Sequence, residues 1–181
     1  MPDTDSTGAP PRRLMLLAAV LAVALAAAVA VVSLVAQSGR NDQQNSGQLA
    51  LVPVPAPQAG SPSCATLIPA LPADLISNGA TLKRRELAAP APEATVAWGQ
   101  PDAIVLRCGL ERPPELTPTA QLRVVSGVQW LPVEGEGSST WYVVDRDVYI
   151  GLTVPDSAGT GPLQEVSDAV AAKLPPTPLH F

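Results

Sequence analysis

"AIVLRCGLERPP" (residues 103–114) decides how the rest of the chain is read. An apolar run ends on Arg107, Cys108 and Gly109, and Pro113 and Pro114 close it. Side chains alternate along a strand, so Ile104, Leu106 and Cys108 share one face while Val105 and Arg107 share the other. Cys108 therefore points with the apolar set, towards a core. The only other cysteine is Cys64, in "SCATLIPALP" (63–72). There Ser63 is placed to cap a short helix that presents Leu67, Ile68 and Leu71 before Pro72 ends it. Two cysteines on core-facing positions most simply form a disulfide, Cys64–Cys108, pinning an N-terminal helix to a central strand. The alternative is two free buried thiols, which requires a cytoplasmic domain. The Cys-x-x-Cys spacing typical of a redox pair is absent.

Outward from this strand, "ATVAW" (94–98) precedes it across the turn residues "GQPD". "LRVVSGVQWLPV" (122–133) reads as one or two strands broken near Gly127. "TWYVV" (140–144) and "VYIGLTV" (148–154) are the strongest strand signals. "DRD" (145–147) between them is either a tight turn or part of one long strand. In "GPLQEVSDAVAAKLP" (161–175), Pro162 suits a first helical turn, and Leu163, Val166, Val170 and Leu174 give one apolar face. The expected class is α+β: a small, mainly antiparallel sheet carrying an N-terminal and a C-terminal helix, preceded by a transmembrane helix.

That transmembrane helix is residues 14–36, "LMLLAAVLAVALAAAVAVVSLVA", with no charge and the single hydroxyl of Ser33. As a helix the stretch measures about 34 Å, enough for a bilayer core. Arg12 and Arg13 precede it, which favours a cytoplasmic N-terminus (residues 1–13) and an outward C-terminal domain. A cleaved, secreted form is the alternative, with Ala28-Val29-Ala30 as the small-x-small site. Residues 37–62 are polar, then Pro-rich, and read as a flexible tether. The folded domain is expected over 63–175, followed by a tail, 176–181. Ala18, Ala22, Ala26 and Ala30 form a small-xxx-small stripe suited to weak self-association of the anchor.

Composition excludes more than it assigns. The formal net charge is −5, so the field that a phosphate backbone requires is lacking and nucleic acid is a poor partner. The single histidine, His180, sits beside the C-terminus and supports no Ser-His-Asp or Cys-His arrangement. No metal cluster, phosphate loop or dinucleotide fingerprint appears, and no cofactor is implied. Among candidates, Arg107, Arg146 and Arg85 (with Arg84 in the loop region between strands) offer guanidiniums for a carboxylate or phosphate. The competing reading is ordinary pairing with Asp102, Asp145 or Asp147. Trp98, Trp130 and Trp141 offer stacking surfaces for a sugar, against the commoner role of filling a core. Asp145 and Asp147 share a strand face at i and i+2, but charged turn chemistry explains them more simply than a catalytic pair.

"CATLIPALP", "VAWGQPDAIVLRCGLERP", "VSGVQWLP" and "DRDVYIGLTVP" together resemble the actinobacterial domain of unknown function 3515 family. The resemblance rests on Trp98-Gly99, Arg107-Cys108-Gly109, Gly127-Val128 with Trp130, and Arg146 with Tyr149, and spans residues 64 to 174. It implies a small exported or membrane-anchored protein. Some members look like lipoproteins, but this chain has no cysteine at the end of its apolar segment. The functional expectation is a non-enzymatic cell-envelope accessory domain in the cell membrane that binds a protein partner. The alternative is a module for a small anionic or glycan ligand, centred on Arg107, Arg146, Arg85, Trp98, Trp130 and Tyr149.

Overall fold

A computed structural model describes residues 47–181. The stretch 14–36 that is expected to cross a membrane, its alanine stripe and the first part of the expected tether lie outside the described residues. Among the described residues, no helix is long and apolar enough to cross a membrane.

The elements are α1 (Pro62–Leu67), a 3-10 turn (Ile68–Ala70), β1 (Asp74–Ser77), β2 (Ala80–Arg85), β3 (Thr95–Trp98), β4 (Ile104–Leu110), β5 (Arg123–Val125), β6 (Val128–Gly135), β7 (Ser138–Val143), β8 (Tyr149–Pro155) and α2 (Gly161–Lys173). The eight strands form one antiparallel sheet in the order β1-β2-β3-β4-β8-β7-β6-β5. It consists of two four-strand meanders joined by their last strands, β4 against β8. Helix α2 touches β1 at one edge and β5 and β6 at the other, so the sheet wraps around it.

The α+β class and the two helices agree with the expectation, but the sheet is larger. Strands β1 and β2 were not anticipated, and Arg84 and Arg85 lie on β2 instead of in a loop. The missed signal is "SNGA" (77–80): Asn78 at φ 50° and Gly79 at φ 78° make the two-residue turn of a tight hairpin. Ser126 and Gly127, at φ 49° and 74°, repeat the device between β5 and β6, so 122–133 is two strands. "DRD" is neither a two-residue turn nor strand; it lies in the connection 144–148.

The cap of α1 is also displaced. Ser61, not Ser63, accepts from the Cys64 amide at 3.3 Å, while the Ser63 hydroxyl donates to Asp147 Oδ2. Ser63 already lies in the first turn, where its hydroxyl points outward.

The core fills the concave, helix-bearing side. Leu75, Val96, Trp98, Ile104, Leu106, Val128, Trp130, Ile150 and Leu152 meet Leu67 of α1 and Val166 and Val170 of α2. Cys64 and Cys108, both fully buried there, form the disulfide. The outer face has a smaller apolar cluster, Leu116, Leu131 and Val144, with Tyr149 and Leu179 packed on it.

Candidate functional site

The alternation of β4 sends Arg107 to the outer face, opposite the core set. Register then decides its neighbours. Arg107 faces Thr95 on β3 and Gly151 on β8, and Gly151 faces Tyr142 on β7. Thr140 and Thr153, also opposite each other, are joined by a 3.0 Å hydroxyl–hydroxyl hydrogen bond. Arg107, Tyr142, Thr140, Thr153 and Gly151, with Leu110 and Val54, surround a cavity of about 140 Å³. Gly151 makes room for it: a Cβ there would meet Leu110 Cδ1 at 2.7 Å and Tyr142 Cε1 at 3.5 Å. A second cavity of about 180 Å³ shares Val54, Leu110 and Tyr142 and continues towards Arg112 and Pro114.

Val54 belongs to a segment expected to be a free tether. Residues 47–61 instead run as a strap on the outer face. Leu49 forms a parallel bridge with Leu87, and its amide donates to Glu86 O at 2.8 Å. Arg85 Nη2 donates to Gly47 O at 3.3 Å, and Arg107 Nη2 donates to Val52 O at 3.4 Å. The Gln58 amide donates to Gly109 O at 3.0 Å. Gly109 is required at this crossing, because its φ is +83° and a Cβ would collide with the backbone of Gln58 and Ala59. Two arginines thus hold the strap by its carbonyls. The sequence carried no sign of this, since a Pro-rich run offers no side-chain pattern that names a partner.

Arg107 remains under-satisfied. Its Nε is buried without a hydrogen-bond partner, and among the described residues no carboxylate lies within ion-pair distance. Burial pushes its pKa down, and the nearby Tyr142 opposes that shift. Burial likewise pushes the Tyr142 phenol up; Glu115 adds to the rise and Arg107 counteracts it. A half-buried cation beside a phenol and two hydroxyls is suited to accept an anionic group.

The structure separates the other candidates. Arg146 does not join Arg107: it is buried in the 144–148 connection, where Nη1 lies 2.8 Å from Asp145 Oδ1 and donates to Asp145 O at 2.8 Å. Asp145 is engaged there and Asp147 is exposed. Arg84 reaches the Ile68 carbonyl on the helix side. Trp98 and Trp130 are fully buried, with Nε1 donating to Pro72 O at 3.0 Å and to Ser167 Oγ at 2.9 Å, so neither offers a stacking face. Tyr149 packs in the outer cluster, its hydroxyl 3.5 Å from His180 O. Among the described residues, no three His, Cys, Asp or Glu side chains are grouped to hold a metal ion.

No curated protein and no solved structure matches the chain. The family model described as protein of unknown function (DUF3515) matches residues 19–179, which take in part of the apolar segment, the strap and both meanders. A match over most of the chain shows membership: this protein belongs to the DUF3515 family.

Proposed function

We propose that this protein is a non-enzymatic binding module of the cell envelope, anchored by residues 14–36 with its N-terminus inside, and that its outer-face cavity takes a small anionic ligand at Arg107. The observation that carries the ligand reading is the half-buried Arg107 on the wall of a cavity, with no carboxylate partner and an orphaned Nε among the described residues. Its environment holds hydroxyl donors and, among the described residues, no competing carboxylate in the lining. The disulfide supports an oxidising compartment. The uncharged length of 14–36 behind Arg12 and Arg13 supports the anchor, and the family match begins inside that stretch. Calorimetric titration of the full chain with inorganic phosphate and with acetate tests the site. Binding by wild type, weakening in Arg107→Lys and loss in Arg107→Ala is expected, because lysine cannot offer the bidentate fork. Equal binding by Arg107→Ala removes the reading.

A second reading, recruitment of an envelope protein, has its own observation: Val52 and Val54 of the strap are 78% and 46% exposed. Capture of a partner from solubilised native membranes, lost in a Val52→Ser/Val54→Ser variant that still folds, is its expected signature. Crosslinking in membranes addresses self-association through Ala18, Ala22, Ala26 and Ala30, and monomer alone would dismiss it.

A further inference from the structure

Of the three tryptophans, Trp141 alone is outside the fully buried set. It lies on β7, half-buried, on the helix-bearing side, where it packs against the edge of the core with Val154, Ala158 and Leu163. It lines a cavity of about 260 Å³ at the mouth between the sheet and the first turn of α2. Leu163, Val154 and Pro155 give this cavity apolar walls, while Ser139, Asp156 and Thr160 supply its polar groups. Ser139 is engaged, donating to Glu134 Oε2 at 2.7 Å. Thr160 stands at the N-cap of α2 but its side chain caps nothing. The Asp156 carboxylate makes no hydrogen bond or ion pair among the described residues; only its amide is used, donating to Gly137 O.

We infer that this cavity is a binding site for a neutral saccharide ring stacked on Trp141, with Asp156 and Thr160 accepting and donating hydrogen bonds at its hydroxyl belt. A pyranose carries an apolar C–H face and a rim of hydroxyls. A half-buried indole that lines the cavity suits the first, since its electron-rich face attracts polarised C–H bonds. A carboxylate and a hydroxyl, both without side-chain partners among the described residues, match the second. Charge selects among ligands. Among the described residues, Asp156 is the only charged side chain lining the cavity, so an anion is repelled here and the site is distinct in chemistry from that at Arg107. A quaternary ammonium is typically held by a cage of aromatics. Trp141 is the only aromatic in the lining among the described residues, which leaves a neutral ring as the better fit.

The experiment uses the full chain in a detergent without a sugar headgroup. Trp98 and Trp130 are fully buried, so acrylamide quenching of the native protein reports on Trp141. Cellobiose and N,N′-diacetylchitobiose are titrated at millimolar concentration, with tetramethylammonium as the cationic control. One of the saccharides is expected to protect Trp141 from acrylamide, and calorimetry is expected to give at least tenfold weaker binding in both Asp156→Ala and Trp141→Ala. Asp156 is exposed, so its variant tests the site even if Trp141→Ala unfolds. No protection by either saccharide, binding retained in Asp156→Ala, or protection by tetramethylammonium alone overturns the inference. Phosphate binding at Arg107, measured on the same sample, is independent of each result.

Discussion

Two side chains, Trp130 and Tyr142, show how single residues carry this fold. Trp130 Nε1 donates to Ser167 Oγ, and that hydroxyl donates to Leu163 O at 2.6 Å, so a serine inside α2 satisfies an indole in the core. Ser167→Ala strands the Trp130 N–H in a fully buried place and is expected to cost about 1–3 kcal/mol in denaturant unfolding. Adding Trp130→Phe to that background should not cost as much as it does in wild type, because the orphaned donor has already been paid for. Tyr142 gives a prediction with a sign. Its phenol is raised above the ordinary value of 10.0, first by burial. Above that pH the unfolded chain loses the proton first, so the contribution is complete below pH 10 and disappears as pH rises through the folded value. The thermal midpoint of wild type should therefore fall through the alkaline range more steeply than that of Tyr142→Phe; identical slopes would place the phenol in ordinary water. Neither contact was legible in the sequence. The face of Arg107 followed from alternation alone, whereas pairing Trp130 with Ser167, or Tyr142 with Gly151, requires the register between distant strands.

At the scale of elements, the strap is the departure from the sequence expectation with the largest consequence. Proline removes amide donors, and a segment rich in it reads as having nothing to pair with. The domain reverses the roles: the strap contributes carbonyls, and the arginines of β2 and β4 contribute the donors. Strand β4 is consequently buried on both faces except at Arg107. Gly109→Ala tests whether the strap is a separable unit. An alanine at φ +83° costs about 1–2 kcal/mol from backbone sterics alone, and here it also meets the strap backbone. Hydrogen exchange should accelerate at the Leu49 and Gln58 amides, which bond to Glu86 O and Gly109 O, while Leu106 in the core stays protected. Uniform acceleration would mean that strap and sheet open as one. At the edge strand β1, Glu165 Oε1 of α2 accepts from the Ile76 amide at 2.8 Å, and Ser77 Oγ accepts from the amide of Gly159 in the connection before α2. The Glu165 carboxylate satisfies an amide of an edge that hairpin signals alone leave open.

At the scale of the whole domain, two meanders with separate hairpin turns would be expected to come apart, yet three features bind them. Strands β4 and β8 are paired from Val105–Thr153 to Leu110–Tyr149 at the seam. Helix α2, last in the chain, touches the first strand and the fifth. The disulfide ties α1 to β4 over a separation of 44 residues, for which chain entropy gives about 4 kcal/mol. The tryptophans are distributed so that the coupling can be measured. Trp98 lies in β3 of the first meander, and Trp130 lies in β6 of the second, both fully buried. Single-tryptophan variants, each keeping one of the two with the others changed to phenylalanine, report on the halves separately. If the seam and α2 couple the meanders, each variant's fluorescence transition in urea coincides with its own loss of backbone circular dichroism. Reduction of Cys64–Cys108 then shifts both transitions down together, although the disulfide closes a loop wholly within the first meander and α1. A Trp98 transition that moves on reduction while the Trp130 transition stays would show the second meander and α2 to be an independent unit, with the β4–β8 seam too weak to transmit the loss.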